Sequence, residues 1–109
     1  MSAAQERAVV IFVTTSSSAE AEKIGRALVA EKLVACANIL SPVRSIYRWQ
    51  GKICDEPEAL MVLKTRSGQV KKIIQRVRAL HSYTVPEIIA LPIIAGSKDY
   101  LSWIREVTR

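Results

Sequence analysis

The chain's only histidine, His81, lies in the stretch ALHSYTVPEIIALP, residues Ala79 to Pro92, with Tyr83 two positions on and Glu87 beyond a Val85-Pro86 step. Imidazole, phenol and carboxylate at this spacing form one polar wall of a cleft, and His and Glu are able to pass protons. No nucleophile motif accompanies them: there is no G-x-S-x-G, and no spacing that marks a Cys-His pair. The same histidine falls where a helix should end, and a cation at that end is favoured by the helix dipole. The stretch therefore reads either as a cleft wall or as a junction between two elements.

Metal binding is a second chemistry. Cys36, Cys54 and His81 offer soft and imidazole ligands, with Asp55 or Glu87 to complete a set. No pair has a helical i, i+4 or zinc-finger spacing, and free cysteine is more often a small hydrophobe than a ligand.

The elements that must position these residues follow from periodicity. AVVIFVTT, from Ala8, is β-branched and apolar, as a strand covered on both faces should be. SSAE then supplies a capping box, Ser17 as N-cap and Glu20 reaching back. Ala21, Ile24, Gly25 and Leu28 follow on one face of an amphipathic helix. LVACANIL is a second strand that Pro42 interrupts, and VRSIYRW resumes it to Trp49. Gln50-Gly51 is a two-residue hairpin turn. KICDEPEALMVLKT returns, with Pro57 predicting a bulge or an edge position near Asp55 to Pro57. A second helix carries Val70, Ile73, Val77 and Leu80 on one stripe and ends near His81, because a residue before proline avoids the helical region. EIIALPII is the fourth strand, and Ser97 caps a last helix bearing Tyr100, Leu101, Trp103, Ile104 and Val107.

The order βαββαβ plus a C-terminal helix predicts an α+β, ferredoxin-like split βαβ sandwich with two helices on one sheet face. At 109 residues one domain is expected, with Met1 to Arg7 as a loose tail and 8–109 as the folded unit.

The hairpin is long for such a body. Extended at about 3.3 Å per residue, Val34 to Trp49 would reach roughly 50 Å, whereas a fifteen-residue helix covers about 22 Å. The tip YRWQGKI therefore overshoots the helix layer and carries Tyr47, Trp49 and Ile53 into water. Either another subunit covers this ribbon or the hairpin folds back over its own sheet. The 50% apolar composition favours a partner chain.

A net charge of +6 and a pI near 9.7 suit an acidic partner without being extreme. RNA-binding sheets of this topology stack bases on aromatics of the central strands, and here those strands offer only Phe12. There is also no Gly-rich phosphate loop, so no specific nucleic acid partner is expected. No apolar run approaches the roughly 20 residues that span a bilayer, so no membrane partner is expected either. Two cysteines, far apart and without C-x-x-C spacing, point to a reducing cytoplasm.

VTT, LVACANI, VRSIYRWQGKI, LKTR, ALHSYTVPEIIALPI and DYLSWI, in this order over Val9 to Trp103, resemble the divalent-cation tolerance proteins of the CutA family. SIYRWQGKI together with VPEIIALP is the most specific part. The resemblance implies a PII-like ferredoxin fold in a homotrimer whose long hairpins bind the neighbours, a role in metal tolerance, and no catalytic activity. It further implies copper or another divalent cation as the bound ion, none obligatory, with Cys36 and His81 as its ligands. Trp49, Lys64, Tyr83 and Glu87 match the lining of an intersubunit cleft open to a metal ion or a small anionic ligand. The family's His-Pro-Tyr reads His81-Ser82-Tyr83 here, and a further cysteine of some members falls near Val77. A PII-like signalling or interaction module without a physiological metal is the alternative function.

Nucleic acid binding should be weak and non-specific. A filter-binding or anisotropy titration with RNA at physiological salt checks this, and nanomolar, sequence-selective binding contradicts it.

Overall fold

The computed structural model describes residues 7–109; the tail expected over 1–7 lies, apart from Arg7, outside the described residues. Strand β1 (Ala8–Thr15) leads to helix α1 (Ser18–Ala30), and β2 (Cys36–Trp49) turns back into β3 (Lys52–Arg66). A 3-10 turn (Ser67–Gln69) opens α2 (Val70–Leu80), followed by β4 (Ile88–Pro92) and α3 (Lys98–Val107). The sheet order is β2-β3-β1-β4 with every neighbouring pair antiparallel, the ferredoxin-like arrangement expected from the element order.

Alternation along the strands sorts the core. Val9, Ile11 and Val13 of β1 and Ala59, Met61 and Leu63 of β3 point to one face and are buried. Ala21, Ile24 and Leu28 of α1 and Ile73 and Val77 of α2 close over them. Gly25 lets α1 sit close to the sheet: a Cβ there would lie 3.1 Å from the Ala37 Cβ and 3.3 Å from the Met61 Cε. Cys36 projects from the opposite face, level with Lys64, and the Tyr100 hydroxyl lies 3.8 Å from its Sγ. Helix α3 therefore crosses the second face at that end. Ile89, Leu91 and Leu40 on this face remain exposed.

The structure refines three local expectations. The ladder of β2 starts at Cys36 rather than Leu33, because Lys32 takes a positive φ of 61° and the N–H groups of Leu33 and Val34 turn back to the Leu28 carbonyl. The bulge falls on β2 and not at Pro57: Leu40 pairs with Leu60 and Val43 with Glu58, so Ser41 and Pro42 together face Ala59. Pro57 occupies a free edge, the second of the two positions expected for it, since β1 pairs with β3 only as far as Ala59. Finally, Ser17 Oγ accepts the Glu20 N–H at 3.1 Å as a cap should, but Glu20 returns its carboxylate to Ser16 rather than to Ser17.

The turn at Gln50-Gly51 has positive φ at both residues, 50° and 78°, the type I′ pattern that matches strand twist. Beyond Glu58 the β2–β3 ribbon continues without β1, and the molecule extends 44 × 25 × 23 Å. Ile46 and Ile53 are 65% and 72% exposed, further along the face that carries Ala59 and Met61 under the helices.

Ile24, wholly buried between α1 and the sheet, sets the scale of core packing. Ile24→Ala should lower unfolding stability by about 3 kcal/mol. Urea denaturation at fixed protein concentration measures it, and a loss below about 1 kcal/mol would mean that the helix layer is not packed as described.

Candidate binding cleft

The loop that follows α2 is held by side chains from three elements. His81 ends the helix with extended backbone, φ −82° and ψ 142°, while its N–H still donates to the Val77 carbonyl at 2.8 Å. The ring is buried and both nitrogens are used. Nε2–H donates to the Thr14 carbonyl at 2.7 Å, and Nδ1 accepts the Tyr83 N–H at 3.0 Å. This pairing assigns the ring proton to Nε2. The Glu20 Oε2 accepts the Ser82 N–H at 2.7 Å and lies 3.8 Å from Nδ1. Burial opposes the Glu20 charge, yet hydrogen bonds from Ser82 and Ser16 outweigh it and hold the carboxyl below its ordinary range.

Where β1 stops and the ribbon continues, this loop and the ribbon enclose a cleft of about 660 Å³. Tyr47 and Trp49 line it from the ribbon, Glu58 from β3, and Tyr83, Val85 and Glu87 from the loop. Tyr83 donates its hydroxyl to Glu58 Oε2 at 2.7 Å. Burial, and then the Glu58 carboxylate, push the phenol far above its usual range, so it is a donor at any working pH. Burial and then Glu58 also raise the carboxyl of Glu87. Arg44, on the rim, is committed to Asp55 through Nε at 2.8 Å and Nη2 at 2.6 Å. Glu87 has neither a hydrogen-bond partner nor a paired cation among the described residues, so the uncompensated charge of the cleft is negative.

Of the residues matched to the cleft from the sequence, Trp49, Tyr83 and Glu87 line it and Lys64 does not. Lys64 pairs with Cys36 near the other end of the sheet, and its Nζ donates to Asn38 Oδ1. Thr14, which holds His81, is level with Leu60 on β3. Four residues of strand, roughly 13 Å, therefore separate the level of Cys36 from that of Thr14. Cys36 and His81 do not meet within one chain, and no group of three or more His, Cys, Asp or Glu converges among the described residues. Cys54 lies on the ribbon opposite Tyr47.

The places of Glu58 and Tyr47 in the cleft and the bond from Ser82 to Glu20 were not read from the sequence. The bulge explains the first two. Before it, Cys36, Asn38 and Leu40 share a face with Leu60; after it, Val43, Ser45, Tyr47 and Trp49 take that face beside Glu58. A one-residue slip exchanges the faces of every later side chain. Pro42 is the signal that a bulge stood there, but not where the count shifts.

The family described as CutA1 divalent ion tolerance protein matches residues 9–107. A divalent-cation tolerance protein CutA of Thermus thermophilus is 48% identical over 99 residues, 91% of this chain and 96% of that protein. Human protein CutA is 44% identical over 89% of this chain and 54% of its own length, so this chain spans little more than half of that relative. The solved Thermus thermophilus structure superposes with a TM-score of 0.91 at 47% identity, covering 94% of this chain and 99% of that one. A structure from Archaeoglobus fulgidus, described as a periplasmic divalent cation tolerance protein CutA, gives 0.91 at 42% identity with the same coverage. With almost the whole described chain matched in both sequence and fold, this protein belongs to the CutA1 divalent ion tolerance family.

Proposed function

We propose that the protein is a homotrimeric divalent-cation tolerance protein that takes up a cation in the cleft of Glu58, Tyr83 and Glu87 by binding and not by catalysis. The observation that carries this reading is the Glu87 carboxylate, which shares the cleft with Glu58 and has no cation to offset it among the described residues. Two oxygen ligands beside a phenol suit a divalent ion, with water or a neighbouring chain completing the coordination. The committed nitrogens of His81 speak for a structural histidine rather than a proton shuttle.

The trimer reading is supported by the ribbon. Trp49 is 45% exposed on one face, and Ile46 and Ile53 are exposed on the other face, of a two-stranded element that has no layer of its own to pack on among the described residues. The open apolar residues Leu40, Ile89 and Leu91 of the second sheet face offer the complementary surface. A neighbour also supplies what one chain lacks. Lys64, without a carboxylate partner among the described residues, reaches a cleft only from an adjacent copy, and the cleft would then take small anionic ligands as well. A copper site built on Cys36 and His81 likewise has to draw them from two chains. The two separate free cysteines fit a reducing cytoplasm, and no helix among the described residues is long and apolar enough to cross a membrane.

Light scattering or sedimentation at micromolar protein should give three times the chain mass; a monomer would overturn the assembly. Trp49→Ala should weaken association by about 2 kcal/mol, as a buried interface tryptophan does. An unchanged dissociation constant would leave the ribbon tip in solvent.

Calorimetric titration with copper, zinc, magnesium and anionic metabolites tests the cation and separates it from a PII-like interaction module that leaves the cleft without metal. Glu58→Gln and Glu87→Gln should each weaken divalent-ion binding about tenfold or more, the loss of one charged ligand. Unchanged affinity in both variants would move the ion elsewhere. Protonated carboxyl does not ligate, so affinity should fall as pH drops through the raised titration of Glu87. The same group gives the opposite slope in stability. The fold favours its proton, so its contribution is greatest at low pH and declines as pH rises from about 4.5 through the raised value. Glu87→Gln should remove that slope.

A further inference from the structure

The first two backbone N–H groups of the cleft's loop wall are each taken by a side chain. Ser82 N–H goes to Glu20 Oε2 at 2.7 Å, and Tyr83 N–H goes to His81 Nδ1 at 3.0 Å. Both side chains are themselves anchored. Glu20 Oε1 accepts the Ser16 N–H at 3.2 Å and the Ser16 hydroxyl at 3.0 Å, while His81 Nε2–H holds the Thr14 carbonyl at 2.7 Å. The start of the loop is thereby tied to the beginning of α1 and to the end of β1. Only then does Tyr83 reach Glu58 and Glu87 face the cleft. Helix capping does not require this bridge: Glu20 spans 62 residues to Ser82, and its side chain is only 13% exposed.

The ring geometry has a further consequence. A metal ion needs a nitrogen lone pair. Taken at Nδ1, it displaces the Tyr83 N–H directly. Taken at Nε2, it forces the proton onto Nδ1, which then no longer accepts from Tyr83, and the Thr14 carbonyl loses its donor. Both routes release the same amide.

We propose that Glu20 and His81 are positioning residues that clasp the cleft wall closed, and that metal ligation by the His81 ring and the closed wall exclude one another. A soft ion at the imidazole thus opens the wall that carries Tyr83 and Glu87, and by reciprocity occupancy of the closed cleft weakens metal binding at the ring. The proposal rests on the cleft being the binding site, but the clasp itself is measurable in metal-free protein, where it succeeds or fails apart from any ligand.

Amide hydrogen exchange followed by NMR on the full chain reads it. Glu20→Ala should speed exchange at Ser82 about tenfold, the loss of a hydrogen bond to a charged acceptor, while the core amides of Ile11 and Leu63 keep their protection. Glu20→Gln, which keeps a carbonyl acceptor, should retain most of the Ser82 protection. Parent-like protection at Ser82 in Glu20→Ala overturns the clasp, as does a loss shared equally with Ile11 and Leu63. With zinc ion alone added to the parent protein, a shifted His81 ring resonance should come with faster exchange at Tyr83. A shifted ring with Tyr83 protection intact overturns the exclusion.

Discussion

Much of this structure depends on one mismatch of length: β1 ends its pairing opposite Ala59, and β3 runs on to Lys52 with β2 as its only neighbour. Strand pairing satisfies only the inward-facing backbone groups of the ribbon, and no third layer among the described residues covers its side chains. The body of the sheet is covered by α1 and α2 on one face and in part by α3 on the other, whereas no described element covers Ile46 and Ile53 of the ribbon. The same mismatch makes the cleft. Where β1 stops, the 81–87 loop comes up beside the bare ribbon, and the space between them is bounded by Tyr47, Glu58 and Tyr83.

Within that space, the protein holds its polar groups by backbone rather than by opposing charge. His81 and Glu20 spend their hydrogen-bonding capacity on Thr14, Ser16, Ser82 and Tyr83. Arg44 is neutralised by Asp55 along the ribbon. Hydrogen bonds thus hold the loop, and Glu58 and Glu87 are left as a negative pair beside aromatic walls. The proposed cation site rests on this pair, whose mutual repulsion a bound cation would offset.

The element order, both amphipathic helices, the Gln50-Gly51 turn and the overhang of the hairpin were legible in the residues themselves. Each follows from local periodicity or turn chemistry, which acts over a few residues and needs no partner. The cleft was legible in part. Trp49, Tyr83 and Glu87, expected in a cleft between subunits, border a cleft within this chain, but Lys64 belongs near the other end of the sheet, and the pairing of Cys36 with His81 is not made within one chain. Strand register separates these residues, and register is a property of the folded ladder.

By itself, the sequence determined which segments become helix and strand, which faces of them are apolar, and that a ribbon longer than its helix layer would project. Tertiary structure alone decided where the count slips. Two residues of β2, Ser41 and Pro42, face one residue of β3, and from there outward Tyr47 and Trp49 rather than Ile46 and Arg48 share a face with Glu58. It also decided that Glu20, written in the sequence as a helix cap, would reach across 62 residues to hold Ser82. Alternation and capping are read from neighbours along the chain, whereas a bulge and a long-range hydrogen bond exist only once two distant segments lie side by side.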